Sequence, residues 1–449
     1  MKKFLEFIFK NVANKELDSK IAESIIREHQ AEMNDRPASE NSIKDIAVIG
    51  MSCNFGKSEN LQEFWLNIEQ GIDCLEEVPE YRWDKEKRYS ADRKALKSYS
   101  KWGSFAGRAN KFDSDFFNQS EISSMVTDPQ QRLFLHLCWE ALENAGYGSR
   151  DSRRGDDIGV FVGVRGNVYN TETFVSNKNM SDMSRKDSIE FIRSVLLGKA
   201  PNMVAAAVSN YLDLKGPSMA VDTACSSSLV SIHLACQSII NGDCDMSIAG
   251  GIEVIVDPNT YVYLSQINAL SPEGKCKTFD KNADGYVPGE GGGAVILKSL
   301  DKAIKDKDNI IAVIKGTAVN NDGYTVGVTT PDIEGQKRVI KKAYGKAGVK
   351  PDSVTLIEAH GTGTFLGDPT EFRALTEVFR ENTDKFNFCA LGTVKSNIGH
   401  LHSAAGIASF IKIALALNKG RIPATLNCNE PNSLRLPVFF LYLMQGLSL

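Results

Sequence analysis

From Asp45 to about Pro431, short apolar runs alternate with stretches whose apolar residues recur at helical spacing, and nothing else in the chain restricts its fold as strongly. Ile46-Ala47-Val48-Ile49-Gly50 reads as a buried strand, and Leu61 to Gln70 as a helix with Phe64, Trp65 and Ile68 on one side. Pro129, favoured at a first helical position, opens a helix running through Leu133, Leu137 and Leu142 to Gly146. A strand at 158–163, a helix at 203–212, a strand at 218–223, a helix at 226–240 and a strand at 246–254 follow. After Asp257 the rhythm restarts with strands at 293–297 and 311–316, a helix at 335–347, a strand at 354–358, a helix at 369–379, a strand at 389–394 and a helix at 404–417. Such alternation predicts an α/β fold with largely parallel sheets, and the two similar rhythms hint at an internal duplication.

At 449 residues the chain holds either one large core or two fused halves. Its 52 Lys and Arg against 56 Asp and Glu leave a formal charge of -4, so no chain-wide field holds it on nucleic acid or anionic lipid. Nine cysteines form no CxxC pair, which speaks against structural zinc and for a reducing cytoplasm. Glu6 and Lys10 interrupt the only signal-like start, and no stretch reaches the ~20 apolar residues of a membrane span, so the expectation is a soluble, cytoplasmic protein.

Residues 1–27 carry apolar positions (Leu5, Ile8, Val12, Ile21, Ile25) at helical spacing and read as an amphipathic docking or linker segment. Residues 28–44, rich in Glu, Asn, Ser and Pro, read as a linker.

Four loops carry possible chemistry. In Val221-Asp222-Thr223-Ala224-Cys225-Ser226-Ser227-Ser228-Leu229, Cys225 sits at a strand-to-helix turn, where the positive helix end is expected to lower the thiol pKa and free N–H groups can receive an oxyanion. Glu358-Ala359-His360-Gly361-Thr362-Gly363-Thr364 places His360 at a strand end beside two hydroxyls suited to a flexible polar arm. Lys395-Ser396-Asn397-Ile398-Gly399-His400 follows another strand, and a thiol with two such imidazoles suits acyl transfer better than His360, His400 and His402 suit a metal. The run Asp284-Gly285-Tyr286-Val287-Pro288-Gly289-Glu290-Gly291-Gly292-Gly293-Ala294 matches a dinucleotide fingerprint only in its glycines, because a polar turn precedes and strand-like Val295-Ile296-Leu297 follows where a helix is required. It reads instead as a tight turn near a site.

These motifs resemble a β-ketoacyl synthase (ketosynthase) domain of a modular polyketide synthase: Asp222 to Ser228, Glu358 to Thr364 and Asn397 to His400, supported by Asp128-Pro129-Gln130-Gln131-Arg132. The Val287-Pro288-Gly289-Glu290-Gly291 run and the front helices look like those of modules served by free-standing acyltransferases. The resemblance implies a thiolase-like fold of two similar α/β halves in five layers, working as a homodimer. It implies an N-terminal half at 45–256 and a C-terminal half at 257–432. Cys225 would match the acyl-accepting nucleophile, His360 and His400 the pair that assists malonyl decarboxylation, Thr362 and Thr364 the hydroxyls that hold pantetheine, and Lys395 the lysine that supports the second histidine. No cofactor and no metal is implied on the protein itself. The substrates ride on the phosphopantetheine of an acyl carrier protein, and other synthase modules or a free-standing acyltransferase are further expected partners.

The apolar tail at 433–449, with Val438-Phe439-Phe440-Leu441-Tyr442-Leu443-Met444, matches no part of the family pattern, whose late Gly-Phe-Gly-Gly loop supplies a second oxyanion donor. The expectations from this are weak condensation and exposed apolar surface. The alternative reading is a C-terminally truncated, catalytically incomplete fragment serving only dimerisation or docking.

Overall fold

The computed structural model describes residues 45–153, 157–166, 169, 184–327, 329–432, 440–442 and 447–448. The expected segments at 1–27 and 28–44 and most of the tail lie outside the described residues.

Strand β1 (Ile46–Phe55) is buried along its whole length. It alternates between two cores, Ile46, Val48, Cys53 and Phe55 facing one and Ala47 and Ile49 the other. Helix α1 (Leu61–Glu69) starts on Asn60, whose side chain accepts the Glu63 N–H at 2.9 Å. Helix α2 (Pro129–Asn144) starts on Asp128, whose carboxylate accepts the Gln130 N–H at 2.8 Å. Then come β2 (Ile158–Val164), α3 (Met203–Leu212), β3 (Ser218–Val221), α4 (Ser227–Asn241), β4 (Met246–Glu253), β5 (Gly291–Ser299) and β6 (Ala312–Ile314). They are followed by α5 (Ile333–Ala347), β7 (Leu356–Glu358), α6 (Gly367–Arg380), β8 (Cys389–Gly392), α7 (Ala405–Lys419) and β9 (Phe440–Tyr442).

The first sheet has the order β3-β2-β4-β5-β1-β6. Strands β3, β2 and β4 are parallel, as the rhythm predicts, but β5 runs antiparallel to both β4 and β1, and β6 antiparallel to β1. The sheet is therefore mixed. The chain between β4 and β5 makes no crossover back to the starting end of the sheet, so β5 returns beside β4 in the opposite direction. The sheet also runs across the 256/257 boundary drawn from the sequence, since β5 lies at its centre.

Apolar residues of α2 and α3, among them Leu133, Leu137, Val204 and Val208, cover one face of this sheet. Its other face meets Ile232, Ala235 and Ile239 of α4 and Ile407, Ala408 and Ile411 of α7. Beyond those helices lies a parallel second sheet, β9-β8-β7, against which α6 packs Phe372, Leu375 and Phe379 and α5 packs Ile340 and Tyr344. The succession is helix, sheet, helix, sheet, helix: five layers.

The tail contributes to the second sheet. Backbone at Phe440–Tyr442 pairs with Cys389–Leu391, and Leu447–Ser448 pairs antiparallel with Arg421–Ile422. A β-prone run beside an unpaired strand edge gains backbone hydrogen bonds there. Among the described residues no single helix is long and apolar enough to cross a membrane.

Candidate active site

Cys225 lies just past the carboxyl end of β3, in a 3-10 turn (Ala224–Ser226) that feeds α4. Ala224 holds the left-handed conformation (φ 53°), a strained position for a residue with a Cβ. Short bonds over-determine the turn: Ser227 Oγ donates to the Ala224 carbonyl at 2.7 Å and accepts the Thr223 N–H at 2.9 Å. Gly163 on β2 permits the approach of α4, because a Cβ there would lie 2.4 Å from Ser228 N. The other eight cysteines are buried and Cys225 is half-buried, so the sequence motif singles out the accessible thiol.

The thiol pKa runs against expectation. Enclosure by protein raises it, while the Lys395 and Arg165 charges pull it back down by less. The start of a helix was legible in the sequence; the cover that desolvates a thiolate was not.

His400 is 1% exposed, and its Nε2 lies 3.2 Å from Cys225 Sγ. Its Nδ1 accepts the His402 backbone N–H at 3.2 Å, which leaves the ring proton on Nε2, facing the sulfur. Gly399 makes this turn: its φ is +75°, and a Cβ would lie 2.7 Å from the Val287 carbonyl. The turn proposed for the glycine-rich run is indeed beside the site, for His400 N donates to Val287 O at 2.8 Å and Gly289 N to His400 O at 2.9 Å. Tyr286, from the same run, packs edge-on to His400 at 5.0 Å between ring centroids.

His360 meets His400 edge-to-face at 5.3 Å. It is exposed to solvent on one side, and the protein mass around the rest of it, followed by the Lys395 charge, lowers its pKa. Burial first, then His402 and Lys395, lower that of His400. Lys395 is 2% exposed; burial lowers its own pKa against the pull of Glu358 and Glu371.

Two carboxylates that the sequence reading missed hold the His360 loop. Glu371 on α6 accepts the N–H groups of His360 (2.7 Å) and Gly361 (2.8 Å). Asp368 accepts those of Thr362 (3.0 Å), Gly363 (3.1 Å) and Phe279 (2.8 Å). The available signal was two acidic residues in the first turns of the helix after the loop. Thr362 and Thr364 share a hydrogen bond between hydroxyls at 3.0 Å, leaving one hydroxyl proton for a ligand.

Cys225, His400 and His402 each bring a possible metal-ligating atom within 4.8 Å of the others. The tautomer opposes that use, since the Nε2 that faces sulfur carries the proton, and a cation there would meet the charges of Lys395 and Arg165.

The N-terminal domain of the β-ketoacyl synthases matches residues 43–303 and the C-terminal domain residues 311–429. The chain belongs to the β-ketoacyl synthase family. This synthase is 44% identical over 400 residues to polyketide synthase PksL of Bacillus subtilis, covering 88% of the chain and 9% of that protein. It is 43% identical over 391 residues to a phenolphthiocerol/phthiocerol polyketide synthase protein of Mycobacterium tuberculosis, covering 86% of the chain and 21% of that protein. The synthase thus spans about a tenth to a fifth of these relatives. Among solved structures it is similar to the oxazolomycin ketosynthase domain OzmH KS7 of Streptomyces albus (TM-score 0.82, 36% identity, 90% of this chain and 68% of that one). It is also similar to the module 6 ketosynthase of the bacillaene synthase of Bacillus subtilis (TM-score 0.79, 37% identity, 88% and 65%). The thiolase-like fold of the family agrees with the five layers described above.

Proposed function

We propose that this chain is the ketosynthase of a modular polyketide synthase and joins an acyl group on Cys225 to a malonyl unit on an acyl carrier protein by decarboxylative Claisen condensation. The observation that carries the reading is the His400 Nε2–H aimed at Cys225 Sγ, 3.2 Å away, with His360 beside it.

In the first half-reaction the Cys225 sulfur attacks the carbonyl of a carrier-bound acyl thioester. The new C–S bond replaces the old one, and the pantetheine thiol leaves with the proton that Cys225 gives up. The oxyanion of the adduct takes a hydrogen bond from the Cys225 backbone N–H. In the second half-reaction a malonyl-carrier thioester occupies the side of the histidines, its pantetheine held by Thr362 and Thr364. The bond to its carboxylate breaks, carbon dioxide leaves, and the electron pair stays as an enolate whose oxygen accepts hydrogen bonds from His360 and His400. Both rings are neutral donors, in keeping with their lowered pKa values. Lys395 supports His400 and places positive charge near the enolate. The enolate carbon attacks the acyl-Cys225 carbonyl, and collapse of the adduct expels the Cys225 thiolate and frees a β-ketoacyl-carrier product.

A homodimer is part of the proposal: among the described residues β3 ends the first sheet with an open edge, and its Met219 is 44% exposed. A free-standing acyltransferase supplies the malonyl unit, and residues 1–27 dock a neighbouring polypeptide. The halves at 45–256 and 257–432 carry the nucleophile and the two histidines respectively. The nine free thiols suit a reducing cytoplasm.

The direct test is intact mass after incubation with an acyl thioester, then with malonyl-carrier protein. The expected result is an acyl adduct on Cys225 that disappears as β-ketoacyl-carrier product forms. An adduct elsewhere, or none, overturns the reading.

A further inference from the structure

The parallel strands β2, β3 and β4 end along one rim. Gly163 is paired with Val221 and with Gly251, and Val164 with Ile252, so the next residues on β2 and β4, Arg165 and Glu253, stand side by side where β3 runs on into the Cys225 turn. Arg165 Nη2 lies 2.6 Å from Glu253 Oε1, with side-chain exposures of 36% and 4%. The second oxygen of Glu253 accepts the Ser403 hydroxyl at 2.6 Å, and Ser403 also donates through its backbone N–H at 3.4 Å, so the carboxylate that orients the guanidinium is fixed from behind. Among the described residues, Nη1 and Nε of Arg165 have no protein partner. A cation with an oriented guanidinium, whose Nη1 and Nε meet no acceptor among the described residues, therefore stands at the rim beside the nucleophile turn. Its charge reaches the Cys225 sulfur, His400, His402 and Tyr286.

We propose that Arg165 is a specificity-determining residue of the acyl site, and that it selects acyl chains carrying a hydroxyl, carbonyl or carboxylate oxygen within a few carbons of the thioester. The proposal rests on the reading of Cys225 as acyl acceptor. A purely hydrocarbon chain on that sulfur displaces water from the free guanidinium donors and gives nothing back, whereas an oxygen near the third carbon accepts from them. The arginine is already immobilised by Glu253, so little freedom is lost on forming the bond. A carboxylate gains charge attraction in addition.

The test uses three N-acetylcysteamine thioesters, butanoyl, 3-hydroxybutanoyl and succinyl, with acylation rates of Cys225 read by intact mass. In the native chain the two oxygenated chains should react about tenfold faster than butanoyl, the worth of one charge-assisted hydrogen bond at a partly exposed site. In Arg165→Met the ratio of oxygenated to butanoyl rates should fall to near one. Because the ratio is taken within one variant, any effect of Arg165 on thiol reactivity cancels. Arg165→Lys, which retains a cation for Glu253, should keep the succinyl preference and lose most of the hydroxyl preference. Equal rates for all three thioesters in the native chain overturn the proposal without any variant, leaving Arg165 as a partner of Glu253 alone. An unchanged ratio in Arg165→Met overturns it too. Failure of every thioester to acylate Cys225 refutes the acyl-acceptor reading itself, and the proposal falls with it.

Discussion

Glu358 and Lys412 form an ion pair of 2.7 Å with side-chain exposures of only 3% and 1%. Glu358 ends β7, two residues before His360, and its other oxygen accepts the N–H of Val394, the residue before Lys395, at 2.6 Å. Lys412 lies on α7, the helix that follows His402. One buried pair thus ties both histidine loops to the central helix layer. Lys412→Met should cost about 3–5 kcal/mol in denaturant unfolding, because it strands a buried carboxylate. The double variant Glu358→Gln with Lys412→Met should recover much of that loss. A cost for the single variant near zero would show that the pair is not buried as described.

Cys225 should label with iodoacetamide before the eight buried thiols, and its rate should climb with pH beyond the range of an ordinary thiol. The sign follows from the cause: enclosure disfavours the thiolate, so the pKa lies higher and the reactive fraction at neutral pH is small. Lys395→Met should move the profile further upward, since the lysine charge acts in the opposite direction. A rate already at its plateau at neutral pH would contradict this.

Several of these features were readable from residues alone and others were not. β1, β2 and β4 are unbroken apolar runs because helices cover both faces, and Asp128-Pro129 announces α2 through capping and proline geometry. The three motif loops each follow the carboxyl end of a strand, β3 in the first sheet and β7 and β8 in the second. The helix Arg185–Gly198 was passed over although Ile189, Ile192 and Leu196 recur at helical spacing; those side chains are exposed, and the helix buries only Phe191 and Gly198. The place of β5 in the first sheet is a long-range pairing that local rhythm does not encode. Asp368 and Glu371 look like ordinary acids at a helix start until their backbone partners are seen.

Glu371→Ala should leave the N–H groups of His360 and Gly361 without their acceptor. At about 1.5–3 kcal/mol for a hydrogen bond to a charged group, malonyl decarboxylation should fall by about ten- to a hundredfold. Acyl loading of Cys225 should change less, because the nucleophile turn has its own hydrogen bonds. Equal loss of both would mean that Glu371 supports the whole fold instead.

Gly163→Ala should push Ser228 and the start of α4 away, since the new Cβ would lie 2.6 Å from the Ser227 carbonyl carbon as well as 2.4 Å from Ser228 N. Overpacking of this kind costs about 1–3 kcal/mol. Acylation of Cys225 should slow alongside. Native stability and native acylation together would refute the close approach of β2 to the nucleophile turn.

The central claim is a division of labour: Cys225 carries the acyl group, and His360 and His400 act on the malonyl partner. The most direct measurement follows both half-reactions separately in Cys225→Ala, His360→Ala and His400→Ala, with carbon dioxide release from malonyl-carrier protein read beside acyl loading. The account predicts that Cys225→Ala takes no acyl group, and that each histidine variant loses about 10² to 10⁴ in decarboxylation while loading suffers less. Undiminished decarboxylation in both histidine variants, or the same loss in both half-reactions, would contradict it.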